Sequence, residues 1–365
     1  MLNEKEKTLL ERAYKILKEN ESYFNGRRLI LPSKTFQNYK GVWNWDSAFI
    51  ALAVAEWDVG LALEQCDMFF DNMKENGMIV DAFIADGRVY DSTSKPPVFA
   101  WVLKEIVTRY DRYEIIDKYY DKLVKNESFW TNYRCRDGLF HYDAFSHGKN
   151  YERDARNESG WDTSVRWDNG AHNVYAVDLN CYMVLFYRTL AFFAEKKGLK
   201  ENRWKDKERD LSKRINDKLW NSDLNTYMDY DYENSCFTNV LSPASFMPLF
   251  IEIAPKDKAQ QMEILAESDN FYPLMPCVSY KDTKYNARDY WRGPTWINIA
   301  YFAIKGIKNY GYLKIAEEYK NNILNMCSNE KRSIYEYYDS KTGEGLNAEK
   351  FSWSCVFIIE FIKHF

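Results

Sequence analysis

Val42-Trp43-Asn44-Trp45-Asp46-Ser47-Ala48-Phe49-Ile50-Ala51-Leu52-Ala53-Val54-Ala55-Glu56-Trp57 is the stretch on which the architecture turns. Ala48 to Ala55 carries no charge and no polar face. A helix that is apolar all round belongs to an inner layer, covered on every side by other helices. The run is far shorter than the ~20 apolar residues of a membrane span. Asp46 or Ser47 stands where a helix cap is expected.

The rest of the chain repeats this theme. Residues 4–19 carry Leu9, Leu10, Ala13, Ile16 and Leu17 at the spacing of a surface helix. After the apolar run, 61–76 reads as its amphipathic partner. Lys95-Pro96-Pro97 opens a second apolar helix over 97–109, with proline in the first turn, and 113–132 is again charged and amphipathic. A helical pattern from Ala171 to Lys197 is followed by 203–220, rich in alternating charge. Ser242–Phe250 pairs with Lys256–Glu267, 290–310 with 313–327, and 351–364 closes the chain. Strand patterns are short and few. About a dozen helices in apolar-then-amphipathic order predict an all-α toroid whose inner ring includes 47–57, 97–109, 171–190, 294–308 and 352–364. A solenoid would show repeats of fixed length. None is visible, and no Pro-, Gly- or Ser-rich linker divides the chain, so residues 1–365 read as one domain.

Composition narrows the function. Basic and acidic residues number 50 and 54, for a net charge of −4, which gives no reason to expect nucleic acid or an anionic membrane as partner. Twelve Trp, 28 Tyr and 22 Phe bring the aromatic content to 17%. Aromatic faces with polar tips suit ligands that have one apolar face and many hydroxyls. Seven scattered cysteines, none in a C-x-x-C pair, fit neither a disulfide framework nor a zinc site. With no apolar segment at Met1–Lys7, a cytoplasmic location is expected.

In a toroid, the loops entering the inner helices gather at one end, and the unusual residues lie in those loops. Asn157-Glu158-Ser159-Gly160-Trp161-Asp162-Thr163-Ser164-Val165-Arg166-Trp167-Asp168 sets a carboxylate beside an indole. Such surroundings disfavour the charged form and suit a proton donor, although a surface loop capping the next helix would look similar. Tyr335-Glu336-Tyr337-Tyr338-Asp339 holds a second carboxylate between aromatic rings, which on its own also fits a solvated strand. Tyr290-Trp291-Arg292-Gly293-Pro294-Thr295-Trp296 has a proline suited to a helix start and an arginine between two tryptophans that a helix start does not explain.

Glu158-Ser159-Gly160-Trp161-Asp162, Tyr290 to Trp296, and Glu336-Tyr337-Tyr338-Asp339 with Thr342-Gly343-Glu344-Gly345 together resemble the conserved blocks of glycoside hydrolase family 63. That family includes processing α-glucosidases and mannosylglycerate and glucosylglycerate hydrolases, and it is related to the family 37 trehalases. Trp45-Asp46-Ser47 before an apolar helix resembles it too. The resemblance implies an (α/α)6 barrel that hydrolyses an α-glycosidic bond with inversion, with Asp162 as general acid and Glu336 as general base. Trp45, Asp46, Arg166, Trp291, Arg292 and Trp296 match positions near the sugar. Trp43, Lys95, Trp161, Gly293 and Trp353 complete the candidate substrate-binding set. The expected partner is a small carbohydrate, and no metal or organic cofactor is required.

Two departures stand out. Lys95 occupies a position where the family commonly has Gln, and Thr163-Ser164-Val165-Arg166 replaces a frequent Asn-Ser-Pro-Arg. A lysine there either favours an anionic aglycone such as glycerate or pairs with an acidic neighbour. Related toroids that act as epimerases or polysaccharide lyases lean on histidine. The four here, His141, His147, His172 and His364, fall outside the motif blocks. A sugar-binding scaffold is the other alternative, but it would be expected to have lost Asp162 or Glu336.

Overall fold

The computed structural model describes residues 2–145, 148, 150–329 and 332–365; His147 lies outside them. Its helices are α1 (Glu4–Glu19), α2 (Asn44–Val54), α3 (Val59–Phe70), α4 (Phe99–Tyr110), α5 (Glu114–Tyr133), α6 (Tyr151–Glu158), α7 (Val177–Lys196), α8 (Asn202–Lys218), α9 (Met247–Phe250), α10 (Lys256–Glu267), α11 (Ile297–Asn309), α12 (Leu313–Cys327) and α13 (Ser352–Lys363).

Every residue of α2 and all of α13 from Ser352 to Ile362 are buried, as expected of helices with no polar stripe. Helix α8 buries only Trp204, Leu211 and Ile215 and presents its charges to solvent. The packing order of the buried helices closes on itself. Helix α2 packs on α4, α4 on α7, α7 on α9 with the 3-10 turn before it, α9 on α11, α11 on α13, and α13 on α2. Helices α1, α3, α5, α8, α10 and α12 each lean on a member of that circuit from outside. No helix among the described residues is long and apolar enough to cross a membrane.

Several expectations need correction. The protein is helix-rich but not purely α: six small antiparallel sheets are present among the described residues. The long polar connections between helices satisfy their backbone groups by pairing with one another. Helix α2 begins at Asn44, so Asp46 and Ser47 sit in its first turn and do not cap it. Pro96 and Pro97 precede α4, which starts at Phe99. The helix expected from Ala171 starts only at Val177, because Val174–Tyr175 is a strand paired with Tyr230–Asp231. The circuit also has a sixth member absent from the expected inner ring, the 3-10 turn Pro243–Phe246 and the single turn α9.

Two pairings set up one end of the circuit. Gly41–Trp43 pairs with Ala82–Ile84, and the Asn44 amide donates to the Asp81 carbonyl at 2.8 Å, joining the entry to α2 with the segment carrying Asp81. Thr295 and Tyr338 exchange backbone hydrogen bonds at 2.8 and 3.0 Å, which holds the strand Tyr335–Tyr338 beside the entry to α11.

Candidate active site

The segments leading into α2, α4, α11 and α13, the turn after α6 and the strand Tyr335–Tyr338 enclose one small cavity. It is lined by Tyr39, Trp43, Trp45, Asp46, Lys95, Gly160, Asp162, Tyr290, Trp291, Glu336, Phe351 and Trp353. Larger surface hollows elsewhere hold none of the paired carboxylates. What distinguishes this cavity is not its size but three carboxylates and a lysine inside an aromatic wall.

Glu336 is 1% exposed. Its Oε1 accepts hydrogen bonds from Tyr39 Oη (2.6 Å) and Tyr290 Oη (3.2 Å), and its Oε2 accepts from Asn347 Nδ2 (2.6 Å). Burial drives its carboxyl up to about 7, against those three donors, which favour the charged form. Asp162 differs: its side chain is 35% exposed, opening into the cavity, and its Oδ1 lies 3.7 Å from Lys95 Nζ. Its dense surroundings raise its pKa, while Lys95 opposes the shift. Asp46, on the first turn of α2, is raised well above the usual carboxylate range by burial and then by Glu336, with Lys95 again opposing. Its carboxylate has no side-chain hydrogen-bond donor among the described residues, so its lone pairs are available to hydroxyl groups.

Local sequence explains the shape. Gly160 has φ +75°, and a Cβ there would meet the Trp45 ring at 2.4 Å. Only glycine lets the turn carrying Asp162 lie against that indole. Gly293 does not line the cavity. A Cβ on it would strike the Asn286 carbonyl at 2.3 Å, so it serves the close folding of the 286–293 loop.

The structure separates the expected site residues into two groups. Trp43, Trp45, Asp46, Lys95, Asp162, Trp291, Glu336 and Trp353 line the cavity, whereas Trp161, Arg166, Arg292, Gly293 and Trp296 stand behind it. Trp291 is sandwiched between Trp161 (centroids 5.1 Å) and Trp296 (3.8 Å, parallel to 1°), and Tyr337 extends the stack at 4.6 Å. Arg166 backs this column, its guanidinium 4.6 Å over the Trp161 ring. Its nitrogens bond Asp178 (2.8 and 3.0 Å) and Asp229 (2.7 and 3.0 Å), which leaves it no route to a ligand. Arg292 clamps Asp168 with two bonds of 2.9 Å, tying the loop after Asp162 to the entry of α11. Within the opening motif, Glu158 is fully buried and bound by Arg134 and by the amides of Ser94 and Asp143.

Sequence reasoning missed Tyr39, Tyr290, Phe351 and Asn347. Tyr290 and Gly160 stood inside quoted motifs, but Tyr39 and Asn347 lie in stretches with no periodic signal. The opening stretch is also more buried than its composition suggested, with Trp161, Val165, Arg166 and Trp167 all inside. No described histidine lines the cavity. His141 is buried and bonds the Tyr142 carbonyl, and His172 pairs with Glu152.

Residues 39–354 match the mannosylglycerate hydrolase MGH1-like glycoside hydrolase domain. Among curated proteins, the chain is 23% identical to a mannosylglycerate hydrolase from Rubrobacter radiotolerans, over 89% of this chain and 91% of that one. It is 25% identical to a periplasmic trehalase from Salmonella agona, over 84% of this chain and 62% of the trehalase. Among solved structures, a family 63 mannosylglycerate hydrolase from Thermus thermophilus in complex with glucose superposes with a TM-score of 0.83 at 22% identity, covering 97% of this chain and 99% of that one. With most of its length matched, this chain belongs to the mannosylglycerate hydrolase MGH1-like family of glycoside hydrolases and is a glycosidase related to the trehalases.

Proposed function

We propose that the protein is a single-domain (α/α)6 enzyme that hydrolyses an α-linked glucoside or mannoside with inversion, acting in the cytoplasm on a disaccharide, oligosaccharide or glycosylglycerate. The observation that carries the reading is that Asp162 and Glu336 line one aromatic-walled cavity, Asp162 beside a lysine and Glu336 among neutral donors. Glu336 accepts from three neutral donors, as a carboxylate acting as base would. The Asp162 side chain is 35% exposed and opens into the cavity, as a proton donor needs, while its buried Oδ1 faces Lys95. The closed circuit of six buried helices with six outside it supports the barrel.

In this mechanism Asp162 gives its proton to the leaving oxygen as the bond to the anomeric carbon breaks. A water attacks that carbon from the opposite face and loses a proton to Glu336. The sum is addition of one water; the proton on Glu336 returns through solvent to Asp162. The Trp45 and Trp353 rings offer apolar surface to a pyranose, and Asp46 accepts from its hydroxyls.

Incubation with kojibiose, nigerose, trehalose, glucosylglycerate and mannosylglycerate, with released sugars identified, tests the activity and names the substrate. Stabilisation by sugars without turnover would instead support a binding protein.

A further inference from the structure

Lys95 sits between two carboxylates, only one of which faces the cavity. Its Nζ lies 3.5 Å from Asp81 Oδ2 and 3.7 Å from Asp162 Oδ1, and it donates to the Asn157 carbonyl. The Asp81 backbone is fixed on both sides. Its carbonyl accepts from Asn44 at 2.8 Å and its amide donates to the Tyr90 carbonyl at 2.9 Å. Its side chain is 7% exposed, and its Oδ1 is buried without a hydrogen-bond partner among the described residues. Asp81 does not line this cavity; it lines a separate hollow with Tyr90, Asp91, Arg153, Asp154 and Asn157. A buried carboxylate and a half-buried one therefore compete for one cation.

We propose that Asp81 and Lys95 act as a positioning pair that decides whether Asp162 holds its proton, a reading that rests on Asp162 being the proton donor. While Asp81 is ionised it occupies the lysine charge, and Asp162 stays protonated and ready to donate. When Asp81 is neutral, the whole charge falls on Asp162, which is then held as a carboxylate that cannot donate. After donation, the new carboxylate of Asp162 lies 3.7 Å from a cation, which stabilises the state just formed. The other titratable or charged groups facing this cluster are Asp46 on α2, Glu158 on α6, Tyr290 before α11 and Glu336 on its strand, with Tyr90, Asp91, Arg153 and Asp154 around the hollow that Asp81 lines. Burial brings Asp81 to about 7, against the pull of Lys95. Burial alone would lower Lys95, but Asp81, Asp162 and Asp46 keep it above the ordinary lysine value.

The test is the pH profile of kcat/KM for the wild type, Asp81→Asn and Lys95→Gln, on a substrate with an unactivated leaving group. Lys95→Gln should move the descending limb to higher pH by about 1–3 units, the usual effect of removing an opposite charge at this range. Asp81→Asn should move it in the opposite direction. The ascending limb, which belongs to Glu336, should stay put in both. A descending limb that does not move, or moves the same way in both variants, overturns the proposal. Should the variants not fold, wild-type protein labelled with carboxyl-13C aspartate decides. The Asp162 resonance, identified as the one lost in Asp162→Asn, should show two inflections, its own and that of Asp81. A single inflection overturns the coupling. An inactive wild type, or a fully active Asp162→Asn, would overturn the donor assignment itself, before the pair comes into question.

Discussion

Two clusters in this molecule have the same charge count and opposite character. Arg166 lies between Asp178 and Asp229, and Lys95 lies between Asp81 and Asp162. Around Arg166, four bonds of 2.7–3.0 Å saturate both carboxylates, and no member of the cluster is more than 3% exposed. Around Lys95, the ion pairs are 3.5 and 3.7 Å long, two carboxylate oxygens lack hydrogen-bond partners among the described residues, and one carboxylate opens to the cavity. The planar guanidinium has a fixed fork that fills two carboxylates at once, whereas an ammonium is a mobile point charge that two acids share incompletely. Saturation makes the first cluster a buttress behind the Trp161–Trp291–Trp296 stack. Incomplete pairing leaves the second free to change its protonation. Burial alone therefore does not tell these two clusters apart; how fully their carboxylates are paired does.

The comparison breaks most visibly under substitution. Asp162→Asn should cut kcat by on the order of a hundredfold or more, the usual scale for an acid–base group, with chemical denaturation unchanged. Arg166→Ala should do the reverse. It strands two buried carboxylates and should cost about 3–5 kcal/mol of stability in urea titrations, with lost activity tracking lost fold. Glu336→Gln should match Asp162→Asn on natural linkages. On a glycosyl fluoride, which needs little protonation, Asp162→Asn should retain more activity than Glu336→Gln.

A middle-sized effect concerns Glu336, a carboxylate held by neutral donors with no cation. Burial puts it near 7, and a base acts only when deprotonated, so activity should rise with pH through about 7. Tyr39→Phe removes the 2.6 Å bond that favours the charged form. The ascending limb should then shift upward by about 1–2 pH units, the worth of a hydrogen bond to a charged group. An unmoved limb would mean that Glu336 is not the group titrating.

The smallest effect belongs to the Arg292–Asp168 pair, a partly exposed relative of the Arg166 cluster. Its hydrogen bonds to Arg292 hold Asp168 down at about 2. A carboxylate depressed in the folded state contributes stability that is full above its unfolded value near 4 and is lost as pH falls toward 2. Arg292→Gln should cost about 1 kcal/mol or less near neutrality, and the gap from wild type should close between about pH 4 and 2.

The same contrast explains how much was legible beforehand. Continuous apolar runs such as Ala48–Ala55 disclosed the buried helices, because a helix without a polar stripe has one place to go. Ser242–Phe250 reads as one of a helical pair but not as a member of the inner ring, because a 3-10 turn and a single α-turn are too short to show an apolar pattern all round. Trp45, Asp46, Asp162 and Glu336 were readable from motifs whose members are neighbours in sequence. Arg166 stood in such a motif, yet its partners Asp178 and Asp229 are 12 and 63 residues away, so its commitment to them was invisible. Tyr39 and Asn347 reach Glu336 from 297 and 11 residues away, and their own surroundings in sequence carry no sign of it. For Lys95, a motif position suggested either an anionic ligand or an acidic neighbour, and the two nearby carboxylates favour the neighbour. Lys95→Gln should accordingly change activity on neutral and glycerate-linked substrates by similar factors.

The most direct measurement is the configuration of the sugar at the instant of release. Proton NMR of the hydrolysis of an α-linked substrate, read before mutarotation, should show the β-anomer first, since water activated by Glu336 attacks the face opposite the leaving group that Asp162 protonates. Initial release of the α-anomer would mean retention through a covalent intermediate, and Glu336 could not then be the base that activates water.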